Sequence, residues 1–172
     1  GARETGSYRL TVTPSEGSPH GTTVPGGPRV FAVMVGITDY GGAQSNLDYT
    51  AEDAIKMADA LRRQQVLNPA SVTLTNAQAT VAGVRDAIRR TAALAGPDDV
   101  FLFFYSGHGG QNRSSVSSTE PDGKAETLVL RDGEITDTEL AALLATVRAR
   151  MTILAIDSCF SGGFARNTVS RP

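Results

Sequence analysis

The chain contains an apolar run, Phe101-Leu-Phe-Phe-Tyr105, that leads directly into Ser106-Gly-His-Gly-Gly110. A second run of the same kind, Ile153-Leu-Ala-Ile156, leads into Asp157-Ser-Cys-Phe-Ser-Gly-Gly163. Near-continuous apolar runs of this length are typical of strands that are covered on both faces, as in a parallel sheet. Ligands and catalytic groups in open α/β sheets collect outside the carboxyl ends of the strands. We therefore expect both loops at one end of a sheet, side by side if their strands are neighbours.

The rest of the chain alternates between the strand and helix periods, which predicts an α/β fold with a mostly parallel central sheet. The predicted strands are Arg29 to Ile37, Ser71 to Thr75, Asp99 to Tyr105 and Met151 to Ile156. The predicted helices are Tyr49 to Arg63, Val81 to Leu94 and a third helix that begins at the capping box Thr136 to Glu139. The buried stripe of the third helix is predicted at Leu140, Leu143, Leu144 and Val147.

Two stretches lie outside this pattern. Residues 1–28 hold four prolines and six glycines, which predicts an N-terminal arm or linker and leaves 29–172 as one catalytic domain. The stretch from Gly109 to Gly133 is polar and rich in glycine, serine and acids, so we expect a long surface excursion there.

Composition excludes several classes of protein. The net charge is −2 and no basic block is present, so nucleic acid or an anionic membrane is not an expected partner. The apolar runs are far shorter than the roughly 20 residues that a membrane helix needs. The single cysteine excludes an intramolecular disulfide, and no secretory pattern stands near residue 1. We therefore expect a cytoplasmic location.

Cys159 and His108 form a plausible chemical pair, although each alone is more often a structural residue. Each follows an apolar strand and stands in a glycine-bearing loop. A cysteine becomes an acyl-transfer nucleophile once an imidazole takes its proton, and the same imidazole then protonates the leaving amine. Backbone N–H groups of the two turns, at Gly109 and Cys159, are candidates for an oxyanion hole.

These blocks resemble a known family. The histidine lies about 50 residues before the cysteine, as in caspases. Tyr105-Ser-Gly-His-Gly-Gly110 and Asp157-Ser-Cys-Phe-Ser-Gly162 resemble the signature blocks of the metacaspase and orthocaspase branch of the caspase-like peptidases. Phe31 to Ile37, Leu47 to Leu61 and Ile135 to Leu140 match further family blocks in order. The resemblance covers about Arg29 to Gly163 and implies the large catalytic subunit of a cysteine endopeptidase.

The resemblance implies that Cys159 is the nucleophile and His108 the general acid/base. It further implies that Asp53, Ser106 and Asp157 line the pocket for the residue before the scissile bond. Two buried carboxylates and a hydroxyl suit an arginine or lysine side chain, whose charge must be paired when it leaves water. Structural alternatives stay open, because Asp53 follows Thr50 at capping distance, Asp157 can hold its loop and Ser106 can fill a turn.

The chain departs from the family at three places. Tyr49-Thr50 stands where metacaspases commonly have Gly-Cys, and Phe160 stands where many have histidine. Some metacaspases bind calcium, but Arg166 lies about where a later ligand is expected. The acids that remain as possible ligands are Asp122, Glu126, Asp132 and Glu134. Surface solvation is the simpler explanation of these acids, so no cofactor is required and calcium stays open as an activator.

The caspase-like sheet has six strands, and this chain supplies about four of them. The resemblance therefore implies a small subunit from the same precursor, released by self-cleavage, for which Arg166 is the best site because Arg171 precedes Pro172. A catalytically silent scaffold or regulatory binding module of the same fold is the first alternative. A nucleotide-binding α/β domain is the second, but the glycine motifs that it requires are absent.

Overall fold

A computed structural model describes residues 29–42, 44–112 and 125–159. Its strands are β1 (Val30–Gly36), β2 (Val72–Thr75), β3 (Val100–Ser106), β4 (Gly109–Asn112), β5 (Ala125–Val129), β6 (Glu134–Thr136) and β7 (Met151–Asp157). Its helices are α1 (Thr50–Arg63), α2 (Val81–Leu94) and α3 (Asp137–Leu144). The four predicted strands and three predicted helices are all present, and the strand ends agree to within one residue.

The central sheet has the strand order β2-β1-β3-β7, and every pair in it is parallel. The most apolar strands, β1 and β3, occupy the middle, where neighbours on both sides satisfy their backbone groups. The predicted α/β class with a parallel sheet of four strands is therefore confirmed.

Helices cover the sheet on both faces, which gives three layers. The core under α2 and α3, called the α2/α3-side core, includes Phe101, Phe103 and Tyr105, each with 0% exposure. The core under α1, called the α1-side core, contains Ala32, Met34, Ala54, Ala58, Leu102 and Phe104. Successive β3 side chains thus enter opposite cores, as the pleat of a strand dictates. Each fully buried side chain of this size contributes about 1.5–3 kcal/mol.

Two of the helices begin with a side-chain cap. The Thr80 hydroxyl accepts the N–H of Gly83 at the start of α2, and Thr136 accepts the N–H of Glu139 at the start of α3. The predicted cap at Thr136 is confirmed, but the Glu139 carboxylate pairs with Arg85 of α2 instead of closing the box. This ion pair ties the two helices on one face of the sheet together.

The predicted surface excursion from Gly109 to Gly133 is wrong for residues 125–130, of which all but Val129 are buried, and residues 113–124 lie outside the described part of the chain. β4, β5 and β6 form an antiparallel sheet, and β5 is buried from Ala125 to Leu128. Leu128 belongs to the α2/α3-side core, against which the strand packs. The strand escaped prediction because it is short and carries Glu126 and Thr127, so it has no apolar run.

The edge strand β7 is much less covered than its neighbour β3. Within the described residues it pairs with β3 alone, and Met151 and Ile153 are 52% and 42% exposed. α1 packs on β1, β2 and β3. In the described part of the chain, no helix has the length and apolar character needed to cross a membrane.

Candidate functional site

The register of the sheet brings the two chemistry-bearing loops together. Ser106 at the end of β3 is paired with Asp157 at the end of β7. His108 and Cys159 each stand two residues beyond this pair, at the carboxyl ends of neighbouring parallel strands. We call residues 106–110 the histidine loop and residues 157–159 the cysteine loop. The N–H of Gly107 donates to the carbonyl of Asp157 at 3.2 Å, so backbone joins the loops directly.

Gly109 is the point of closest approach between the loops. A Cβ atom at this position would lie 1.8 Å from the carbonyl oxygen of Cys159 and 3.1 Å from the Ser158 hydroxyl. Any side chain would therefore push the cysteine loop away. The glycine that follows the histidine is required by packing against the backbone of Cys159, whose side chain is exposed.

The His108 ring is oriented by a carbonyl from a distant part of the chain. Its Nε2 lies 2.8 Å from the carbonyl oxygen of Ser45. A carbonyl only accepts, so this contact fixes the hydrogen on Nε2 and leaves Nδ1 with a free lone pair. In this tautomer the imidazole accepts a proton at Nδ1 while Nε2 stays held.

Two tyrosine hydroxyls hold the His108 backbone. The hydroxyl of Tyr40 accepts the His108 N–H at 2.8 Å, and the hydroxyl of Tyr105 donates to the His108 carbonyl at 2.7 Å. The single hydroxyl hydrogen of Tyr105 is shared with the carbonyl of Val129, whose oxygen lies 2.6 Å from the same phenol oxygen. Burial raises the pKa of both phenols, aided for Tyr105 by its neighbour Tyr40, so both are neutral at ordinary pH.

The three predicted pocket residues lie on one face of the sheet, at the end where the loops meet. Ser106 follows Phe104 by two residues in β3, and Asp157 follows Ala155 by two in β7, so both face the α1 side. Asp53 stands in the first turn of α1. A Cβ at Gly36, the partner of Ser106 in the register, would touch that turn. The first turn of α1 thus lies directly over the ends of β1 and β3.

Burial of the predicted pocket residues differs from expectation. Ser106 is 0% exposed, and its hydroxyl has no hydrogen-bond partner in the described structure. Asp53 is half-buried and Asp157 is exposed, so the prediction of two buried carboxylates is wrong for the described chain. The reason is that Asp157 ends β7, which has no strand neighbour on its outer side among the described residues.

The alternative role of Asp53 as part of a cap is not supported. α1 begins after Tyr49, which makes no side-chain cap, and the Thr50 hydroxyl donates instead to the carbonyl of Ile37. Arg166 and Phe160 lie outside the described residues, as does Asp122.

The acids considered for calcium do not share one role. Glu126 is 8% exposed, so the explanation by surface solvation is wrong for it. Asp132 accepts the N–H of Val81 at 2.7 Å and thereby caps the start of α2. Glu134 is exposed on β6. Within residues 29–42, 44–112 and 125–159, no three His, Cys, Asp or Glu side chains cluster as metal ligands.

Sequence reasoning missed the residues that support His108. Ser45 acts through its carbonyl, which every residue possesses, so no sequence signal marks it. Tyr40 and Tyr105 are separated by 65 positions, and only the fold brings their hydroxyls to 3.4 Å. In the sequence Tyr105 is the last residue of an apolar run, although its hydroxyl bonds to the histidine loop.

Comparisons with known proteins agree with the geometry. A family model described as "Caspase domain" matches residues 29–171. The protein "Metacaspase-1" of Mycosarcoma maydis is 33% identical over 144 residues, which are 76% of this chain and 35% of that protein. "Metacaspase-1" of Schizosaccharomyces pombe is 32% identical over 146 residues, which are 77% of this chain and 34% of that protein. The chain therefore spans about a third of the length of these curated relatives.

Solved structures include a similar chain. The crystal structure of protein GSU0716 from Geobacter sulfurreducens superposes with a TM-score of 0.64 at 39% identity. The match covers 77% of this chain and 51% of that one.

Proposed function

The chain belongs to the caspase-domain family and is metacaspase-like, and on that premise we propose that its protein is a cysteine endopeptidase that cuts after arginine or lysine. One observation carries the proposal. The only cysteine of the chain and His108 follow neighbouring strands, and Gly109 lies against the Cys159 backbone. The nucleophile and its proton acceptor are thus carried by two loops that touch.

In the proposed reaction the Cys159 thiol gives its proton to Nδ1 of His108, and the sulfur attacks the scissile carbonyl carbon. The carbonyl oxygen becomes negative and is stabilised by backbone N–H groups, for which Gly109 and Cys159 are our candidates. The C–N bond then breaks, and His108 passes the proton to the leaving amine. Water hydrolyses the thioester with His108 as base, and the thiol regains its proton as the C–S bond breaks.

The preference for a basic residue rests on the three residues at the α1 side of the site. Asp53 and Asp157 supply negative charge, and the Ser106 hydroxyl is buried without a hydrogen-bond partner among the described residues. Such a hydroxyl costs free energy unless it gains a hydrogen bond, and the ammonium or guanidinium of a substrate that displaced the groups now covering Ser106 would offer the donor. A substrate that covers the exposed Asp157 carboxylate would also strengthen its pairing with that cation.

Completion of the sheet is part of the same proposal. The exposed apolar residues of β7 and its single described neighbour support a further strand from a small subunit of the same precursor. Cleavage after Arg166 by Cys159 is the proposed source of that subunit. We further propose a cytoplasmic location, protein or peptide substrates, no nucleic-acid or membrane partner, and calcium as an activator at most.

The proposal is tested with the intact protein on fluorogenic peptides that differ only in the residue before the scissile bond, with calcium and with a chelator. Arginyl and lysyl peptides should be cut, and the Cys159→Ala form should be inactive. Preference for aspartyl peptides contradicts the pocket. Near-normal turnover by Cys159→Ala contradicts the mechanism. No turnover and no labelling by an electrophilic arginyl peptide favours the silent scaffold.

The pocket residues are tested by substitution. Asp53→Ala and Asp157→Ala should each raise KM for arginyl peptides about tenfold or more, because a bound cation loses its partner. Asp59→Ala is the matched control, since this acid lies on the same helix and pairs with Arg62 at the surface. An equal effect at all three positions would assign the result to general charge and not to a pocket.

Self-processing is tested by mass spectrometry of the precursor. A new terminus after Arg166 that forms in the wild type and not in Cys159→Ala supports it. A fully active precursor that stays uncut shows that the cleavage is not required.

A further inference from the structure

Tyr40 touches the proposed general base in two independent ways. Its hydroxyl accepts the backbone N–H of His108 at 2.8 Å. Its ring lies against the imidazole, with 4.7 Å between the ring centroids and 47° between the planes. One side chain therefore restrains both the backbone position of His108 and the tilt of its ring.

The contacts of Tyr40 complement the other supports of His108. Tyr105 holds the His108 carbonyl and the Ser45 carbonyl holds Nε2. Neither of these contacts packs against the face of the imidazole ring and restrains its tilt. The Tyr40 ring fills that role, because a tilted aromatic pair at this distance has a preferred geometry as well as contact area.

Tyr40 is itself held at both ends of its backbone. Its N–H donates to the Asn46 side-chain oxygen at 2.9 Å, and its carbonyl accepts from the Arg131 guanidinium at 2.9 Å. Its hydroxyl fits because residue 107 is glycine, where a Cβ would lie 2.5 Å from that oxygen. A ring fixed in this way transmits its position to whatever it contacts.

We propose that Tyr40 is a positioning residue that fixes the imidazole of His108 relative to the cysteine loop. Tyr40 thus acts on the reaction through His108. This role rests on the proposed peptidase function. The Tyr40 hydroxyl accepts the His108 N–H because it lies over Gly107. Its pKa is raised by burial, so the phenol is neutral there. Tyr40 itself neither takes nor gives a proton in the proposed reaction and acts on it only through His108.

Two variants separate the contributions of the hydroxyl and the ring in the intact protein. Tyr40→Phe removes the acceptor of the His108 N–H and keeps the ring, so kcat should fall about tenfold, as expected for one unpaired amide. Tyr40→Leu removes both and should lower kcat about a hundredfold. KM should stay within about twofold in both, because uniform substrate binding is not changed.

A second readout distinguishes positioning from a loss of stability. The rate at which iodoacetamide alkylates Cys159 at pH 7 depends on proton transfer to a correctly placed imidazole. This rate should fall in the same order as kcat, with Phe between wild type and Leu. Val84→Ala is the control, because it shortens a buried side chain of α2 in the α2/α3-side core and lies outside the histidine loop.

The outcomes are separable. Wild-type kcat in Tyr40→Phe, a rise in KM alone, or an equal loss in Val84→Ala overturns the role of Tyr40 while leaving the peptidase intact. A wild-type protein that cuts no peptide, and whose Cys159 reacts no faster than free cysteine, overturns the proposed function and this role with it.

Discussion

The histidine and cysteine loops have equal parts in the proposed reaction but unequal support. β3 is buried from Phe101 to Ser106, and His108 beyond it is held through its N–H, its carbonyl and its ring. β7 has exposed side chains at its start and its end, and Cys159 beyond it is exposed. The cysteine loop is joined to the histidine loop by a backbone hydrogen bond from Gly107 to Asp157, and the Ser158 hydroxyl has no hydrogen-bond partner among the described residues.

This difference teaches which half of the site the chain builds by itself. His108, the proposed base, is held in place without a substrate, as catalysis by a preorganised group requires. Cys159, the proposed nucleophile, stands at the end of β7, which has a strand neighbour on only one side among the described residues. A segment that pairs with β7 would therefore act mainly on the cysteine loop. The following predictions separate the two halves.

The largest expected effect is on activity, at the proposed pair of Cys159 and His108. Cys159→Ala should abolish turnover, and His108→Ala should lower kcat by about three orders of magnitude or more. The two variants should also differ in their free energy of unfolding. Cys159 is exposed, so its truncation should cost little, whereas His108→Ala removes the hydrogen bond of the imidazole ring and should cost about 1 kcal/mol. Urea unfolding of both variants measures this. Equal free energies of unfolding would contradict the unequal support of the two loops.

The next effect compares two residues that face each other across β3 and β7. Leu102 and Ile153 are partners in the register, but Leu102 is 7% exposed and Ile153 is 42% exposed. Leu102→Ala should cost about 2–5 kcal/mol, and Ile153→Ala about 1 kcal/mol or less. Unfolding is best measured in the inactive Cys159→Ala background. A large cost at Ile153 would mean that β7 is covered in solution.

The same contrast explains which parts of the fold and of the candidate site could be predicted from the sequence. β1 and β3 were predictable because strands covered on both faces must be apolar throughout. β5 was not, since its five residues of mixed polarity carry too little pattern. His108 and Cys159 were found because each combines a reactive side chain with a strand end and glycines. Tyr40 and Ser45 act across 68 and 63 positions through a phenol and a backbone carbonyl, so only the fold reveals them.

A smaller effect is expected where the two loops touch. Gly109→Ala places a Cβ against the Cys159 carbonyl, so the cysteine loop, as the less supported of the two, should move. We expect kcat/KM to fall about tenfold to a hundredfold, because displacement by about 1 Å misaligns a nucleophile. Gly96→Ala is the control, since its Cβ would meet Asp99 only at 3.4 Å and far from the site. Unchanged kcat/KM in Gly109→Ala would show that the loops separate freely.

The smallest effect concerns backbone strain at Tyr49, the residue directly before α1. Tyr49 lies in the left-handed region, with φ 67° and ψ −5°. Its side chain is 70% exposed and does not cap the helix. Metacaspases commonly have glycine at this position, and glycine adopts that conformation without steric cost. Tyr49→Gly should therefore raise the free energy of unfolding by about 1 kcal/mol.

Asp48→Gly is the matched control for Tyr49→Gly. Asp48 is the exposed neighbour of Tyr49, and its φ is not positive. Glycine there relieves no strain and gives the unfolded chain more freedom, so stability should fall by some tenths of a kcal/mol. Thermal unfolding of both variants decides the sign. If Tyr49→Gly is destabilising instead, the contacts of the exposed Tyr49 ring must stabilise the fold by more than the strained backbone of Tyr49 costs.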